Sequence, residues 1–355
     1  MQARLKAPTG GPGSGGEPGA APRAVWQIPY VDQPVVFWVE LEEQLGAFIR
    51  EVYFPLPGTD VGSGRPMQPM HHLQAFLRGS PFAANALVNP VVLKRPIEVS
   101  GPAIIEQLRQ LRDGFGVTSV TVSNVALAAL IREQLPDLTI TASVLLDIHT
   151  PYQVQLLDGL FDVLVPSSRI MRDIEALKRV RHAFRGKLRL IVNEGCLPGC
   201  PFRVQHFYEM NAGLAVPKSL CAGLLRDKPW LRLTGAWVLP QHLHYYRQLF
   251  DELKIAGRVT LQNERRYRQV LKAYFYERRT LPSQIGGGPA SLHRGIPVDD
   301  AFYEHTLRCG HDCHECDDCA RYYDERAAPE ARGTRPQSAA SPGPSGRGRA
   351  TKLPV

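Results

Sequence analysis

The sequence predicts a (β/α)8 TIM-like barrel followed by a short cysteine-rich segment. Three observations carry this expectation. From residue 51 onwards, short β-branched or aliphatic runs alternate with amphipathic helical stretches, the pattern of a parallel sheet covered by helices. Eight such runs fall within roughly 200 residues, the size of one closed barrel. No Gly-x-Gly-x-x-Gly follows any of them, which argues against the runner-up, an open doubly wound sheet.

The two ends of the 355-residue chain read differently. Residues 1–24 and 326–355 are rich in Gly, Pro, Ala and Ser with almost no large apolar side chains. Such stretches bury too little surface to offset ordering entropy, so both are expected to be disordered tails. They also hold +7 of the +8 net charge. The body is therefore close to neutral and lacks the broad basic footprint of a nucleic-acid binder. No apolar run approaches the length of a membrane span, and the N-terminus has no apolar signal core, so the expectation is a cytoplasmic chain without a membrane partner.

Within the body, residues 25–285 are assigned to the barrel and 286–325 to the cysteine-rich segment. Residues 35–39, Val-Val-Phe-Trp-Val, read as a strand outside the ring that closes its bottom, with a helical pattern over 42–49. Ring strands are expected at 51–54, 86–89, 119–124, 138–143, 162–165, 188–193, 231–235 and 253–258, each of strand length and rich in aliphatic residues. Helical patterns lie between them. Residues 102–112 place Ile104, Ile105, Leu108 and Leu111 on one stripe, and residues 172–184 gather Ile174, Leu177, Val180 and Phe184. Further helices are expected at 125–134, 151–157, 240–249 and 264–276. Pro102, Pro151 and Pro240 stand at expected helix starts, where proline is tolerated. Residues 59–80, with Met67, Met70, His71 and His72, form a long connection.

The active site of such a barrel lies at the C-terminal strand ends. Reading those ends gives Asn89, Asn124, Ser143, Asp147, Ser167, Ser168, Asn193, Glu194, Trp237 and Arg258. The densest stretch is 193–206, Asn-Glu-Gly-Cys-Leu-Pro-Gly-Cys-Pro-Phe-Arg-Val-Gln-His. Gly195, Pro198, Gly199 and Pro201 forbid a helix through the cysteine pair, so a stiff loop carries the soft ligands. Glu194 is a candidate general acid/base, or a partner for Arg203. Arg203 has the fork geometry for a carboxylate or phosphate. His206 is a candidate proton carrier, with a ligand and a packed histidine as alternatives. Asn89, Asn124 and Arg258 are candidate substrate-binding residues, and Lys254 joins Arg258 at the eighth strand, where barrels often take anionic groups.

Seven cysteines and no signal sequence disfavour a disulfide scaffold. Cys196-x3-Cys200, Cys221 and Cys309-x3-Cys313-x2-Cys316-x2-Cys319 read as metal ligands, with small buried thiols as the plainer reading of the first pair. Four thiolates within eleven residues can enclose one iron–sulfur centre; a structural Zn2+ site at Cys309 to Cys319 is the alternative. The Cys-x3-Cys-x2-Cys spacing also matches radical S-adenosylmethionine enzymes. There the motif follows the first barrel strand, and here it lies behind the last helix, so the match is read as accidental. The three barrel cysteines would hold a cluster with an open or non-cysteine fourth position, or recruit Cys309 if the C-terminal segment folds back over the mouth.

Four passages resemble the U32 family, the collagenase-like peptidases. The 193–206 stretch resembles its cysteine-bearing loop. Leu239-Pro-Gln-His-Leu-His-Tyr-Tyr246 and Leu253-Lys-Ile-Ala-Gly-Arg258 resemble its last two barrel units. Ile296 to Phe302, running into Cys309 to Cys319, resembles the cysteine-rich tail of one branch. The resemblance implies a (β/α)8-type barrel and, in several branches, a [4Fe-4S] cluster that supports oxygen-independent hydroxylation of RNA bases or quinone precursors. It implies no shared catalytic triad, and no Ser, His and Asp spacing here supplies one. The expectation is one or two [4Fe-4S] clusters, redox modification of a small-molecule or RNA substrate, and catalytic roles for Glu194, Arg203 and His206. Two alternatives stand beside it: a metal-assisted peptidase, and a non-catalytic, cluster-carrying subunit that works with a protein partner.

Overall fold

A strand over Val25–Pro29 (β1) opens the ring, ahead of the first run expected to belong to it. The computed structural model describes residues 24–57, 70–212, 220–286, 295–311 and 313–327. Among them, eight parallel strands close into a barrel in chain order. After β1 come β2 (Ile49–Pro55), β3 (Ala83–Val88), β4 (Ser119–Val122), β5 (Thr139–Ala142), β6 (Val163–Leu164), β7 (Lys187–Ile191) and β8 (Glu252–Lys254). β1 pairs with β2 on one side and with β8 on the other, Trp26 lying opposite Leu253, which closes the ring. The (β/α)8 barrel expected from the sequence is the observed fold, with two changes in which segments build it.

Residues 35–39 are not a ninth strand. They begin helix α1 (Val35–Leu45), whose buried residues Phe37, Trp38, Leu41 and Leu45 share one helical face. A five-residue apolar run does not distinguish strand from helix by itself; the spacing of Leu41 and Leu45 decides it. Trp38 is fully buried and stacks on Tyr30 at 5.8 Å between centroids, with Phe76 at 4.8 Å. The expected strand at 231–235 is a 3-10 helix over Pro229–Thr234; β7 pairs directly with β8, and β1, between β8 and β2, is the eighth strand. Pro229 starts that turn, and the Arg232 carbonyl accepts from the Gly235 N–H.

Helices lie between the strands: α2 (Leu73–Gly79), α3 (Ile97–Phe115), α4 (Val125–Gln134), α5 (Pro151–Leu156), α6 (Ile174–Ala183), and α7 (Arg203–Ala212) with α8 (Leu220–Asp227) after β7. α9 (Glu264–Phe275), α10 (Asp300–Thr306) and α11 (Asp318–Arg326) follow β8. Pro151 does start its helix, inside a capping box made by Thr150 and Gln153. Pro240 starts a 3-10 helix over Pro240–Tyr246. Pro102 does not start α3. It stands inside that helix, which begins after Pro96. The expected disordered tails fall almost wholly on residues 1–23 and 328–355, outside the described residues, as do residues 58–69 with Met67. Arg326 instead ends α11, its guanidinium 3.7 Å from the Tyr322 ring centroid.

The lumen of the barrel is polar. Side chains alternate along each strand, and while Trp26, Ile28, Val52, Phe54, Leu188, Leu190 and Leu253 pack under the helices, Gln27, Glu51, Arg189, Glu252 and Lys254 take the other face. Their contacts fix which face that is. Ser119 of β4 donates to Glu51 Oε2 of β2 at 2.7 Å, and Arg189 Nη2 of β7 stands 2.7 Å from Glu51 Oε1, spans that cross the ring. Gln27 Nε2 donates to Glu51 Oε1 at 2.8 Å. Asn85 and Thr121 extend the chain through Ser119. Arg189 also donates to Glu252 Oε2 from Nε at 2.9 Å. Barrel interiors are more often filled by branched apolar layers.

Replacing Arg189 by methionine leaves Glu51 and Glu252 buried without their shared cation. The expected loss is about 3–5 kcal/mol of unfolding free energy at neutral pH, the usual cost of breaking a buried ion pair. Burial works to raise the Glu252 carboxyl, but Arg189, with Arg50 and Lys187, outweighs it and holds the group below its ordinary value. That stabilisation is complete above the unfolded value of about 4.3 and is lost as pH falls through the lower folded value. Urea unfolding from neutral pH to about pH 3 therefore shows the wild type losing stability faster than Arg189→Met. Parallel curves would contradict the shared-cation reading.

Candidate functional site

The loop after β7 is fixed by its first residue. Asn193 is 1% exposed and its side chain bridges to the end of β8: Nδ2 donates to the Ala256 carbonyl at 2.7 Å and to the Ile285 carbonyl at 3.2 Å, while Oδ1 accepts from the Ala256 N–H at 2.7 Å. The following segment is held by residues 236–238, whose Ala236 N–H donates to the Cys196 carbonyl at 3.0 Å and Val238 N–H to the Val192 carbonyl at 2.7 Å. Gly199, at φ +60°, makes the left-handed turn between the two cysteines. Glu194 is buried, and its Oε1 lies 3.4 Å from the Cys196 N–H.

Arg203 opens α7 and is buried at its own first turn. The expected alternative of a Glu194–Arg203 pair is not what the geometry shows. Arg203 Nη1 donates to Ser168 Oγ on the loop after β6, and the guanidinium lies 5.4 Å from the Phe207 ring centroid. Nη2 is buried without a hydrogen-bond partner among the described residues. That leaves one face of a buried fork able to take an anionic oxygen. His206 stands half-buried one turn along, its ring 5.9 Å from that of Phe207. At the far end of α7, Asn211 Nδ2 donates to the Val92 carbonyl at 2.9 Å, so the helix reaches from the β7 loop to the loop after β3.

The other expected substrate residues are placed as follows. Asn89 follows β3 and is half-buried. Asn124 caps α4, its Oδ1 accepting from the Leu127 N–H at 2.9 Å. Arg258 is buried four residues beyond the end of β8, its carbonyl accepting from Gln262 Nε2. Ser167 donates to Asp147, whose other oxygen pairs with Arg169 Nε at 2.8 Å, so these three brace one another after β5 and β6.

The cysteines form two groups. Cys221, on α8, has its thiol pushed up by burial and then by the Cys200 sulfur nearby, with Arg232 opposing. Cys309, Cys313, Cys316 and Cys319 line a single cavity of about 240 Å³ together with Arg172, Trp230, Thr234 and Thr306. Arg172 comes from the loop after β6, Trp230 and Thr234 from the excursion after β7, and Thr306 from α10. The C-terminal segment therefore folds back on loops of the barrel's C-terminal face, as one expectation had it. Cys309 joins the other three C-terminal thiols around this cavity. Burial, followed by Cys309 and Cys313, pushes the Cys319 thiol up to about 12. A hydrogen bond from His311 acts in the opposite direction on Cys309, at 3.9 Å from Nδ1 to sulfur. Among the described residues, no three His, Cys, Asp or Glu side chains are gathered tightly enough for a single metal ion.

Arg172 is the residue the sequence pattern missed. It is 2% exposed and no carboxylate pairs with it among the described residues. Its guanidinium lies 4.5 Å from the Trp237 ring centroid and 4.4 Å from that of Tyr303. Nη1 donates to Thr306 Oγ1 at 2.6 Å and Nη2 to the Trp237 carbonyl at 3.1 Å, while Nε has no partner among the described residues. Burying a cation costs several kcal/mol even after relaxation, and each desolvated ring face recovers about 2 kcal/mol. The balance is met by carbonyl and hydroxyl dipoles, in a wall that favours an anionic neighbour. The signal in the sequence was an arginine just past a short apolar strand, which reads equally as a helix start.

No family model matches the chain. An uncharacterized protease of Methanocaldococcus jannaschii is 26% identical over 229 residues, 61% of this chain and 67% of that protein. Among solved structures, a U32 peptidase superposes with a TM-score of 0.49 at 15% identity, covering 66% of this chain and 94% of that one. A phosphoribosylanthranilate isomerase of Thermotoga maritima gives 0.33 at 14% identity, over 54% of this chain and all of the other. The similarity to U32 peptidases expected from the sequence is found again here.

Asn193 carries a prediction about the site's rigidity. Asn193→Ala removes three hydrogen bonds and leaves buried backbone groups of Ala256 and Ile285 unsatisfied. Unfolding free energy is expected to fall by about 1–3 kcal/mol, with faster amide exchange confined to residues 193–202 and 256–258. An unchanged urea midpoint would contradict the staple.

Proposed function

Starting from a chain similar to the U32 peptidases, we propose that Cys309, Cys313, Cys316 and Cys319 hold a [4Fe-4S] cluster, used in oxygen-independent redox modification of a small anionic substrate at the barrel mouth. The observation that carries this reading is the convergence, on one cavity of about 240 Å³, of four thiols and a buried arginine with no carboxylate partner among the described residues. The donor set fits the group. A single Zn2+ draws its sulfurs to about 2.3 Å and fills the space between them, whereas a cavity framed by the four thiols has room for a cluster. A cluster held by four thiolates would be an anion, and Arg172, which lines the same cavity, would supply its counter-charge.

When bound, such a cluster supplies one-electron redox chemistry. The chain's own residues do the rest. Arg203, with Nη2 unengaged among the described residues, binds an anionic oxygen of the substrate, and Ser168 and Phe207 fix its plane. Glu194, buried in the β7 loop, holds or moves a proton at the substrate. His206, one turn further along, is placed to exchange that proton with solvent. Cys196, Cys200 and Cys221, with Cys200 and Arg232 close to Cys221, would hold a second centre or guard the first. The near-neutral body favours a small molecule over a large RNA. The second reading is a metal-assisted hydrolase, favoured by the name of the relative from Methanocaldococcus jannaschii.

Anaerobic purification of the full chain, with iron and acid-labile sulfide measured beside the visible spectrum, separates the two readings. Broad visible absorption with matched iron and sulfide is expected. Cys316→Ser and Cys319→Ser lose it, and Arg172→Met keeps less iron after gel filtration while Arg172→Lys retains most. Zinc without sulfide, or a spectrum indifferent to Cys316 and Cys319, would contradict the proposal and favour hydrolysis.

A further inference from the structure

Lys254 is the last residue of β8, and it enters the lumen at the end of the barrel where chemistry collects. It is 7% exposed, so the amine is enclosed and still reachable. Nζ stands 4.0 Å from the centroid of the Tyr53 ring. No hydrogen bond or ion pair reaches it among the described residues. The two lumen carboxylates are already engaged. Glu51 takes Gln27, Ser119 and Arg189; Glu252 takes Arg189, Arg50 and Lys187.

The remaining neighbours add positive charge. Burial, then Arg189, pushes the Lys254 ammonium well below its ordinary value; Glu51 opposes this and Arg258 adds to it. A lysine desolvated beside other cations holds its proton less tightly than an exposed one, which favours the nucleophilic amine. The same lumen holds other polar atoms without partners among the described residues: Gln27 Oε1, Thr141 Oγ1 and Arg189 Nη1. Gln27 is in direct register with Lys254. The wall around the amine is thus set up for a polar guest, and its excess cations select an anionic one.

We infer that Lys254 is a nucleophile that forms an imine with the carbonyl carbon of a small substrate bearing a carboxylate or phosphate, the anionic end being held by Arg258. The amine lone pair attacks the carbonyl carbon and the C–O π bond opens to a carbinolamine. The carbonyl oxygen then leaves as water with the two amine hydrogens as the C=N bond forms. No oxidant or reductant enters. The reaction is independent of the cysteine cavity, so it stands or falls apart from the cluster.

Reductive trapping tests it on the intact, full-length protein. Glyoxylate and sodium cyanoborohydride are added at neutral pH, and the carboxymethylated lysines are located by peptide mass mapping. The Lys254 peptide is expected to be labelled about tenfold faster than those of the exposed Lys178 and Lys228, a ratio set by the fraction of neutral amine. Acetaldehyde, which carries no charge, labels Lys254 in the same way. Arg258→Gln slows glyoxylate labelling of Lys254 about tenfold more than acetaldehyde labelling, the loss of one charged contact; the smaller slowing shared by both probes is the loss of a neighbouring cation. Lys254→Arg removes that label and leaves the others in place. Lys254 labelled no faster than surface lysines in the wild type would overturn the inference whether or not the variants fold. An equal effect of Arg258→Gln on both probes would remove the anion-holding role, and the proposal with it.

Discussion

The guanidinium of Arg172 lies between the rings of Trp237 and Tyr303 and donates to Thr306 and the Trp237 carbonyl. Three stretches distant in sequence meet there: the loop after β6, the excursion after β7 and the start of the C-terminal segment. The rings supply apolar contact and quadrupole, and the carbonyls supply dipoles, yet among the described residues no carboxylate closes the charge. Tyr303 is further tied down by the Tyr246 hydroxyl at 2.9 Å and by stacking on His242 at 3.9 Å. This arrangement turns a cysteine-rich segment into part of the barrel's C-terminal face. Without it the four thiols would be a short motif behind the last helix, with nothing to dictate which part of the molecule they serve.

A second electrostatic choice lies below that face. The lumen is filled by hydrogen-bonded polar side chains in place of apolar layers, and Arg189 neutralises the carboxylates of β2 and β8, the strands on either side of β1. Such a core is costly to desolvate, and its packing gives less than branched side chains would. What it provides is position: Glu51, Glu252, Arg189, Asn85 and Ser119 are each held by two or more contacts, so the atoms left over are left over in fixed places. Lys254 above this network and Arg203 beside the mouth are both buried basic groups with capacity to spare. The protein therefore offers anionic groups a choice of fixed partners inside a body whose own formal charge is near neutral.

The architecture was legible because helical and strand periods differ. The 3.6-residue stripes of α3, α4, α6 and α9 and the aliphatic runs of six of the eight strands stood out directly. β8 was recognisable too, though Asp-Glu precedes it. β1 was missed because Trp26-Gln27-Ile28 alternates with a polar residue and follows a Gly- and Pro-rich tail. The 35–39 run was misread because five apolar residues fit either period until Leu41 and Leu45 are counted. Pro102 misled because Pro96 supplies the start of α3. In the site, the Asn193 to His206 stretch announced itself by composition. The cysteine cavity was half legible: spacing showed four ligands close in sequence, and only tertiary structure joined them to Arg172. The lumen network was hidden by the same alternation that hid β1, since Arg189 and Lys254 each sit between aliphatic neighbours.

The central claim is that the four C-terminal thiols and Arg172 enclose an iron–sulfur cluster. Diffraction from anaerobically grown crystals, recorded on either side of the iron absorption edge, tests it most directly. The account predicts an iron anomalous peak inside the cavity bounded by Cys309, Cys313, Cys316, Cys319 and Thr306, with the Arg172 guanidinium against it. A protein that retains its iron but shows the peak elsewhere, with that cavity empty of anomalous density, would contradict it.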